Sequence, residues 1–249
     1  MSKIGAAQAP VTLVTGAAGG LGRAVVARLR DRGHRVWATD LALAEIPCGA
    51  PMGVSSLDVT DAAAVQECVT RIAGEWGRLD HVVHLAGRAG RGPLDDVTLE
   101  DWNSLLAVNL TSAFVLAKAA HRALGHSKGT LTLTSSTNGL NGGSALSGPA
   151  YAVAKAGIVN LVRYLAKEWA GEGIRVNCIA PGPIATPMVT GRFQGEALAA
   201  LERSVPLARD DGRIGTPNHF AHAVEYLLSP AAAFVTGTVM NLSGGVVLD

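Results

Sequence analysis

Short apolar runs rich in β-branched residues alternate along this chain with longer, helix-like segments. The short runs predict strands at Val11–Thr15, Arg35–Thr39, His81–Ala86, Thr130–Thr134, Ile174–Ile179 and Thr238–Asn241. The longer segments predict helices at Leu21–Arg32, Ala62–Glu75, Leu99–Leu124, Tyr151–Ala170 and Asn218–Leu228. Strands joined by helical crossovers form parallel sheets, and nearly continuous apolar strands indicate burial on both sides. The alternation therefore predicts an α/β fold, a doubly wound parallel sheet with helices on both faces.

The 249 residues, of which 48% are hydrophobic, are enough for one large buried core. No linker or repeat divides the chain, so residues 1–249 are expected to form a single domain. Two longer connections, Gly139–Pro149 and Pro181–Pro206, follow predicted strands, and the second contains a helical patch at Glu196–Arg203. Open α/β sheets bind ligands beyond the carboxyl ends of their strands. We therefore expect both connections to border a binding site, with residues 183–206 as a lid.

Charge and cysteine content exclude several classes of function. A net charge of +1 without a basic run argues against a protein that binds nucleic acid or a membrane surface. Cys48, Cys68 and Cys178 lack the spacing of metal ligands or redox pairs, and are expected to be buried fillers in a reducing compartment. No secretory signal and no unbroken apolar run of about 18 residues is visible, so we expect a soluble cytoplasmic protein.

A glycine-rich turn follows the first strand and opens the first helix. It reads Thr15-Gly16-Ala17-Ala18-Gly19-Gly20-Leu21-Gly22. Glycines in such a turn let the backbone approach a pyrophosphate, which the helix N-terminus then favours. The spacing differs from G-x-G-x-x-G, and glycine-rich turns between strand and helix are common. Its position after the first strand favours a phosphate cradle over an ordinary turn.

An acidic residue, Asp40, ends the second strand, eighteen residues after Gly22. A carboxylate there can accept hydrogen bonds from both hydroxyls of an adenosine ribose, and it would repel a 2′-phosphate. No arginine or lysine follows within several residues, so NAD is favoured over NADP; an ordinary solvated aspartate is the alternative. Asp58 could contact the adenine, or could cap the next helix together with Thr60 and Asp61.

Tyr151 and Lys155 lie one helical turn apart, so the phenol and the ammonium project from the same face of the helix. A free tyrosine has a pKa near ~10 and is a poor acid or base at neutral pH. A nearby cation favours the phenolate, so the pair predicts a lowered pKa for Tyr151 and a role in proton transfer. A surface pair without a role is the alternative.

Six motifs in order make the chain resemble the short-chain dehydrogenase/reductase family over essentially its whole length. The matching residues are Thr15–Gly22, Asp58, Ala86-Gly87, Val108-Asn109-Leu110, Tyr151-x-x-x-Lys155 and Pro181-Gly182-Pro183-Ile184-x-Thr186. The resemblance implies a single-domain Rossmann-like fold and a nicotinamide cofactor. It also implies hydride transfer between that cofactor and a carbonyl or alcohol carbon.

The resemblance also implies a role for each matching residue. Tyr151 is the general acid in reduction and the general base in oxidation, and Lys155 binds the nicotinamide ribose and favours the phenolate. Asn109 keeps a water near Lys155 for proton relay, although a helix-kink residue that bonds its own backbone is the alternative. Ile184 and Thr186 contact the nicotinamide and its carboxamide. Further cofactor contacts are Gly16, Gly20, Leu21, Gly22, Asp40, Asp58, Ala86, Gly87, Pro181 and Gly182.

Two stretches depart from the family pattern. The family has Asn-Asn-Ala-Gly where this chain has His84–Gly87, and Leu85 cannot supply the side-chain hydrogen bonds of an asparagine. The family's substrate serine generally precedes the tyrosine by thirteen residues, where this chain has Asn138. We therefore expect Ser136 to hold the substrate oxygen, with a connection two residues longer than usual. Two further serines in that connection, Ser144 and Ser147, are expected to be loop residues.

Two pairs of histidines show H-x-x-H spacing but are not expected to bind metal. His81 and His84 lie three residues apart in a predicted strand, so they face opposite sides. His219 and His222 could share a helix face, but no third ligand accompanies them in the sequence.

Side chains of the loops give the only sequence hints about the substrate. Arg88 and Arg91 could hold a substrate carboxylate, although solvated loop charges are the favoured interpretation. The loops also contain apolar residues that favour a neutral or partly apolar substrate: Leu146, Met188, Val189 and Phe193.

The predicted helices Leu99–Leu124 and Tyr151–Ala170 carry more apolar residues than one sheet face needs. These are Leu105, Leu106, Val115, Leu116, Val159, Val162, Leu165 and Trp169. Burial in the core is the ordinary explanation, and the family resemblance adds a homotetramer joined through these helices. The apolar C-terminus, Val246–Asp249, is a further candidate for packing on a neighbouring subunit.

These observations predict an NAD-dependent oxidoreductase that interconverts a secondary alcohol and a ketone, with Tyr151 as general acid/base. One alternative keeps the fold but reduces 3-oxoacyl thioesters with NADPH, against which Asp40 argues. The other is an NAD-binding regulator without turnover. The set of Asn109, Ser136, Tyr151 and Lys155 disfavours it, since a pure binder needs no acid–base group.

Overall fold

Seven parallel strands form one sheet in the computed structural model, which describes residues 9–46, 52–207 and 214–248. The strands are β1 (Val11–Thr15), β2 (Arg35–Asp40), β3 (Met52–Ser56), β4 (His81–His84), β5 (Thr130–Thr134), β6 (Arg175–Pro181) and β7 (Val239–Leu242). Their order across the sheet is β3-β2-β1-β4-β5-β6-β7. The chain builds outward from β1 in one direction and then crosses back to build in the other. The sheet is therefore doubly wound, as predicted.

Nine α-helices occur among the described residues: α1 (Gly20–Asp31), α2 (Ala62–Trp76), α3 (Leu99–Leu106), α4 (Ser112–Ser127), α5 (Asn138–Asn141), α6 (Pro149–Trp169), α7 (Pro187–Thr190), α8 (Gly195–Arg203) and α9 (Pro217–Leu228). Helices α1 and α9 pack on one face of the sheet, and α2, α4 and α6 pack on the other. Successive residues of β1 show this division, because Leu13 packs on the α2–α4–α6 side and Val14 on the α1–α9 side.

The six predicted strands are all present, with ends that shift by at most two residues, but β3 is missing from the prediction. Its residues, Met-Gly-Val-Ser-Ser, form no apolar run, and none of them is fully buried. The strand lies at the edge of the sheet, where Gly53 is pressed against Trp37: a Cβ there would come within 2.5 Å of the indole. An edge strand need not be apolar, so the pattern of apolar runs does not reveal it.

The predicted helix Leu99–Leu124 is divided in the structure. A π-helical turn, Ala107–Thr111, joins α3 to α4. By length and composition alone, the combined run Leu99–Ser127 is long and apolar enough to cross a membrane. Core helices meet the same criteria, so this is a weak indication. In this protein Leu116 and Leu124 of the run are fully buried in the core.

Two of the three cysteines lie among the described residues, and both are buried with free thiols, as expected. Burial raises the pKa of Cys68 and of Cys178, the latter to about 12. Both thiols therefore stay protonated and act as small apolar fillers. Cys48 lies outside the described residues.

Candidate active site

A cavity of about 300 Å³ opens beyond the carboxyl ends of β4, β5 and β6. Its walls come from the segment after β4, the connection between β5 and α6, the first turns of α6 and the segment after β6. The four side chains that the sequence predicts to be catalytic all line it: Asn109, Ser136, Tyr151 and Lys155. The fold thus brings three separate parts of the sequence to one cavity.

Lys155 is buried on α6, one turn after Tyr151. Its Nζ donates a hydrogen bond to the carbonyl oxygen of Thr134 at 2.9 Å. The hydroxyl of Ser135 donates one to the carbonyl oxygen of Lys155 at 2.8 Å. These two bonds tie α6 to the end of β5. Burial lowers the pKa of Lys155 to about 8, because the ammonium loses hydration there.

The Tyr151 phenol has a raised pKa, whereas the sequence predicts a lowered one. Desolvation of the phenolate is the largest effect. It outweighs the hydrogen bond with Ser136 and the charge of Arg192, which both act in the lowering direction. The Lys155 ammonium lies 5.5 Å from the centre of the phenol ring and donates to a carbonyl oxygen instead. The expected lowering of the Tyr151 pKa by this ammonium is therefore wrong.

Ser136 is the serine that reaches the phenol. Its hydroxyl acts to lower the pKa of Tyr151 and accepts a hydrogen bond from the backbone nitrogen of Asn138 at 3.2 Å. The longer connection predicted after Ser136 begins with the short helix α5, whose Gly139 lies on the backbone of Lys155. A Cβ on Gly139 would come within 2.5 Å of the Lys155 carbonyl carbon. Helix α5 thus packs directly on α6 beside the cavity.

Asn109 lies in the π-helical turn and is almost fully buried. Its Nδ2 donates to the carbonyl oxygens of Arg88 at 2.9 Å and of Leu105, one turn earlier, at 3.0 Å. It therefore bonds its own helix, as the kink alternative predicts. Within the described part of the chain, its Oδ1 has no hydrogen-bond partner. A Cβ on Gly87 would lie 2.6 Å from this oxygen and 3.6 Å from Nζ of Lys155. Asn109 thus presents a buried acceptor on the cavity side.

Backbone contacts shape the glycine-rich turn. Gly16 has a φ of +69°, and a Cβ there would come within 2.6 Å of the Ala86 nitrogen after β4. A Cβ on Gly22 would lie 2.1 Å from the Gly16 carbonyl oxygen. A Cβ on Gly20 would lie 2.9 Å from Cβ of Thr186, at the base of the lid. The turn therefore leaves the N-terminus of α1 free of side chains, which fits a dinucleotide phosphate.

Asp40 ends β2 beside this turn and is half-buried. Its Oδ2 accepts a hydrogen bond from the Ala18 nitrogen at 3.0 Å, and its Oδ1 accepts one from the Leu41 nitrogen at 2.7 Å. The carboxylate is thus fixed next to the phosphate cradle, where it fits a ribose diol. A basic residue that the sequence prediction did not consider, Arg23 of α1, pairs nearby with Glu45 at 2.8 Å.

Asp58 is exposed, and its Oδ1 accepts hydrogen bonds from the nitrogen and the hydroxyl of Thr60. These bonds lower the pKa of Asp58. The N-cap of α2 is Asp61, which accepts from the nitrogens of Ala63 and Ala64. Asp61 therefore caps the helix, and the contact of Asp58 with adenine stays a prediction.

Comparisons with known proteins decide the family. Residues 16–247 match a family model described as Enoyl-(Acyl carrier protein) reductase. The chain belongs to the short-chain dehydrogenase/reductase family. It is 34% identical to D-threitol dehydrogenase of Mycolicibacterium smegmatis, over 94% of this chain and 92% of the relative. It is 36% identical to the 3-oxoacyl-[acyl-carrier-protein] reductase FabG of Escherichia coli, over 95% and 96%. The crystal structure of gox2181 superposes with a TM-score of 0.87 at 31% identity, covering 96% of each chain.

Membership in this family establishes oxidoreductase chemistry on CH–OH groups with a nicotinamide cofactor. The chain fits that cofactor on three structural grounds. The glycine-rich turn leaves a cradle that a Cβ would fill, Asp40 offers acceptors beside it, and Asn109 keeps an unpartnered buried oxygen near Lys155.

This dehydrogenase/reductase has His84 and Leu85 where the family has two asparagines. The His84 ring bonds the hydroxyl of Thr15 at 2.7 Å through Nδ1 and that of Ser112 at 3.0 Å through Nε2. Burial lowers the pKa of His84 to about 3, so the ring is neutral. His84 thus links β4 to β1 and to α4, and Leu85 adds an apolar side chain to the cavity wall.

One histidine of each H-x-x-H pair, His81 and His219, makes a contact of its own. His81 bonds the hydroxyl of Thr130 at 2.9 Å, away from His84. His219 accepts a hydrogen bond from the nitrogen of Thr216 at 3.0 Å, at the start of α9. Among the described residues, no three potential metal ligands form a group.

Residues 183–206, for which the lid role stays a prediction, contribute to the cavity wall. The contributing residues are Pro183, Ile184, Thr186, Met188, Val189, Arg192, Phe193, Leu201 and Ser204. Ile184 is buried and pairs with Gly215 in an isolated parallel bridge. The base of the lid is therefore fixed to the protein.

Sequence reasoning missed Arg192 as a residue of this wall, and it expected Ser144 and Ser147 to be loop residues without predicting that they line the cavity. Arg192 is the only basic residue between Pro183 and Gly195, which was the available signal. Arg88, one of the two arginines considered instead, bonds Ser104 at 2.8 Å and is exposed outside the cavity wall. The two serines lie in a loop without periodicity, so their direction could not be predicted.

Proposed function

We propose that this protein is an NAD-dependent dehydrogenase that interconverts a secondary alcohol and a ketone, with one catalytic domain over residues 1–249. One observation supports this above the others. Ser136 and Tyr151 line the same cavity as Lys155, beside the glycine-rich turn, and Ser136 acts to lower the pKa of Tyr151. A protein that only binds a nucleotide has no need of such a proton donor.

When bound, a nicotinamide dinucleotide supplies or accepts the hydride. The residues of the chain manage the substrate oxygen and its proton. Ser136 donates a hydrogen bond to that oxygen, and Tyr151 gives it a proton in reduction or removes one in oxidation. The raised pKa of Tyr151 keeps the phenol protonated at neutral pH, which is the form that donates. The free Oδ1 of Asn109 accepts from a water beside Lys155, through which the proton is exchanged with solvent.

NAD is proposed over NADP because Asp40 would repel a 2′-phosphate. Its carboxylate is held beside the phosphate cradle by the Ala18 and Leu41 nitrogens. A candidate for a compensating cation is Arg23, which bonds the carbonyl oxygen of Ala18 and is already paired with Glu45.

A second candidate is an NADPH-dependent 3-oxoacyl thioester reductase. The similarity to the reductase of Escherichia coli favours it. So does Arg23, because the Arg23–Glu45 pair is exposed and weak enough to exchange Glu45 for a phosphate. This function requires that Asp40 tolerate the 2′-phosphate.

A homotetramer in the cytoplasm is proposed for the assembly. Most of the apolar residues singled out on the long helices belong to the core, among them Leu116, Val162 and Trp169. The same helices nevertheless expose Phe114 on α4 and Val153 and Tyr164 on α6, with 53%, 48% and 62% of each residue accessible. Covering these side chains favours association through α4 and α6.

The test is a panel of secondary alcohols and ketones assayed with NAD(H) and NADP(H) at 340 nm. We expect turnover of at least one alcohol–ketone pair and a preference for NAD of about tenfold or more. A preference for NADPH together with turnover of a 3-oxoacyl thioester would establish the second candidate instead. Binding of NADH without turnover of any member would identify a regulator. Size-exclusion chromatography with light scattering measures the oligomeric state.

A further inference from the structure

Arg192 lies in the lid directly after α7 and joins three segments of the chain. Its Nη1 donates to the carbonyl oxygen of Gly90 at 3.1 Å, in the segment after β4. The same nitrogen donates to the carbonyl oxygen of Leu146 at 3.0 Å, in the connection before α6. The guanidinium therefore lies at the mouth of the cavity, between the lid and the two opposite walls.

Arg192 is also the positively charged side chain of the cavity wall that remains accessible to a ligand. Among the described residues that line it, only Lys155 and Arg192 are charged, and none is a carboxylate. Lys155 is buried at the floor, where its Nζ bonds Thr134. Arg192 is exposed, and within the described part of the chain its Nε and Nη2 make no hydrogen bond. Two donors of a planar fork thus stay open to a ligand.

Arg192 and Tyr151 line the same cavity. The positive charge of Arg192 acts to lower the pKa of Tyr151, so the two groups share one electrostatic environment. The wall of this cavity also contains the apolar side chains of Met188, Val189 and Phe193. A ligand that contacts both Tyr151 and Arg192 in this cavity therefore meets apolar side chains as well as a cation.

We propose that Arg192 binds a carboxylate of the substrate, and that the substrate is a small secondary hydroxy acid, or the matching keto acid, with an apolar spacer. This inference rests on the proposed function and narrows its substrate class. It replaces the expectation of a neutral substrate. Guanidinium and carboxylate form two parallel, charge-assisted hydrogen bonds, which set orientation as well as affinity. The carboxylate fixes one end of the substrate, and its hydroxyl then meets Ser136 and Tyr151.

The rival explanation is that Arg192 only fastens the lid to the opposite walls. In that case its loss would harm every substrate alike. A matched series separates the two: 3-hydroxybutanoate, 4-hydroxypentanoate and 5-hydroxyhexanoate, each beside its primary amide. The amide keeps size and shape and removes the charge.

In the wild type, the best acid of the series is expected to exceed its amide in kcat/KM by about 30-fold or more. Arg192→Met should lower kcat/KM for that acid by about 100-fold, mainly through KM, and change the amide by less than about threefold. Arg192→Lys should recover part of the loss, since it restores charge without the fork. Arg203→Met is the control: Arg203 lies in the same lid on α8, pairs with Glu196 and does not line the cavity.

Equal losses for acid and amide in Arg192→Met, or a wild type that treats acid and amide alike, would overturn the proposal while the dehydrogenase function stands. Calorimetric binding of 4-hydroxypentanoate to the enzyme–NADH complex gives a readout that does not need turnover. Binding at least about tenfold weaker in Arg192→Met supports the site even if no alcohol is oxidised, an outcome that refutes the proposed function alone. Equal binding in both proteins refutes the site.

Discussion

The cofactor side and the substrate side of the cavity are built by different means. On the cofactor side, Gly16 and Gly22 approach neighbouring backbone so closely that any side chain would collide. On the substrate side, the wall consists of side chains from loops and helices, and Leu146 and Met188 are 64% and 45% exposed. Main-chain geometry fixes the first region and tolerates few residues. Side-chain size and charge define the second, so its specificity can change while the fold stays the same.

Replacing Tyr151, where the two sides meet, is expected to have the largest effect. Tyr151→Phe removes the proton donor and keeps the ring, so kcat should fall by about 10³-fold while the affinity for NADH changes by less than about threefold. Steady-state kinetics and fluorescence titration with NADH measure the two quantities. Turnover within tenfold of the wild type would show that another group moves the proton.

The pH profile of oxidation reports the same phenol without any substitution. Because burial raises the pKa of Tyr151, the phenolate that accepts the alcohol proton is scarce at pH 7 and grows as the pH rises. We expect kcat/KM for oxidation to increase by up to about 100-fold between pH 7 and pH 9. Reduction, which uses the protonated phenol, should stay level over this range, because the phenol remains protonated throughout it. A flat oxidation profile would contradict this assignment.

Adding one carbon to the cofactor side tests how rigid that side is. In Gly22→Ala the new Cβ would lie 2.1 Å from the Gly16 carbonyl oxygen, so the turn must shift and NADH affinity should fall by about 100-fold. Gly74→Ala is the control, because a Cβ there, in the last turn of α2, meets nothing within 4 Å among the described residues. That variant should bind NADH normally and unfold at a slightly higher temperature. Equal affinity in the two variants would show that the turn is adaptable.

Changing a side chain on the cofactor side should shift the selectivity between NAD and NADP while the protein stays folded. Asp40→Ser removes the carboxylate that would repel a 2′-phosphate, so the ratio of kcat/KM for NAD to that for NADP should fall by about 30-fold. Asp95→Ser changes an exposed aspartate of the turn Leu94–Asp96 and serves as the control. An unchanged ratio in Asp40→Ser would remove Asp40 from coenzyme selection.

The smallest expected effect is on the free energy of unfolding and involves His84, between the cofactor side and the substrate side. His84 has a pKa of about 3 in the fold, below its ordinary value of 6.5, so the unfolded chain binds more protons as the pH falls below 6.5. The wild type should therefore lose about 2 kcal/mol more of its free energy of unfolding between pH 7 and pH 5 than His84→Asn does. Urea unfolding at the two pH values measures this difference. Replacement of the exposed His126 by Asn is the control, and identical pH slopes in all three proteins would contradict the assignment.

The fold was readable from the sequence where burial constrains composition. Strands β1 and β5 begin and end as predicted, because all or nearly all of their residues are buried and their ends are marked by glycine or polar residues. The edge strand β3 was not predicted, because its small residues Gly53 and Ser55 are explained by their contacts with Trp37 on the neighbouring strand. Such contacts join residues that are distant in sequence.

The site residues could be predicted from the sequence only where local geometry fixes their spacing. The glycine-rich turn, Asp40 and the pair of Tyr151 and Lys155 have spacings that local geometry dictates. The position of Arg192 and the raised pKa of Tyr151 depend on how the lid and α6 enclose the cavity, which no local pattern contains. The spacing of Tyr151 and Lys155 indicates that the two groups are close in space. The desolvation that raises the Tyr151 pKa depends instead on all the residues that surround the cavity.

The close approach of Gly139 to the Lys155 backbone makes the positions of the catalytic residues independent of the length of the loop between Gly139 and Gly148. Because α5 is clamped onto α6 at that point, the chain that follows can lengthen or shorten before Gly148 while Ser136 and Tyr151 stay in register. Evolution or a protein engineer can therefore graft new recognition segments between these two glycines and keep the reactive atoms in place.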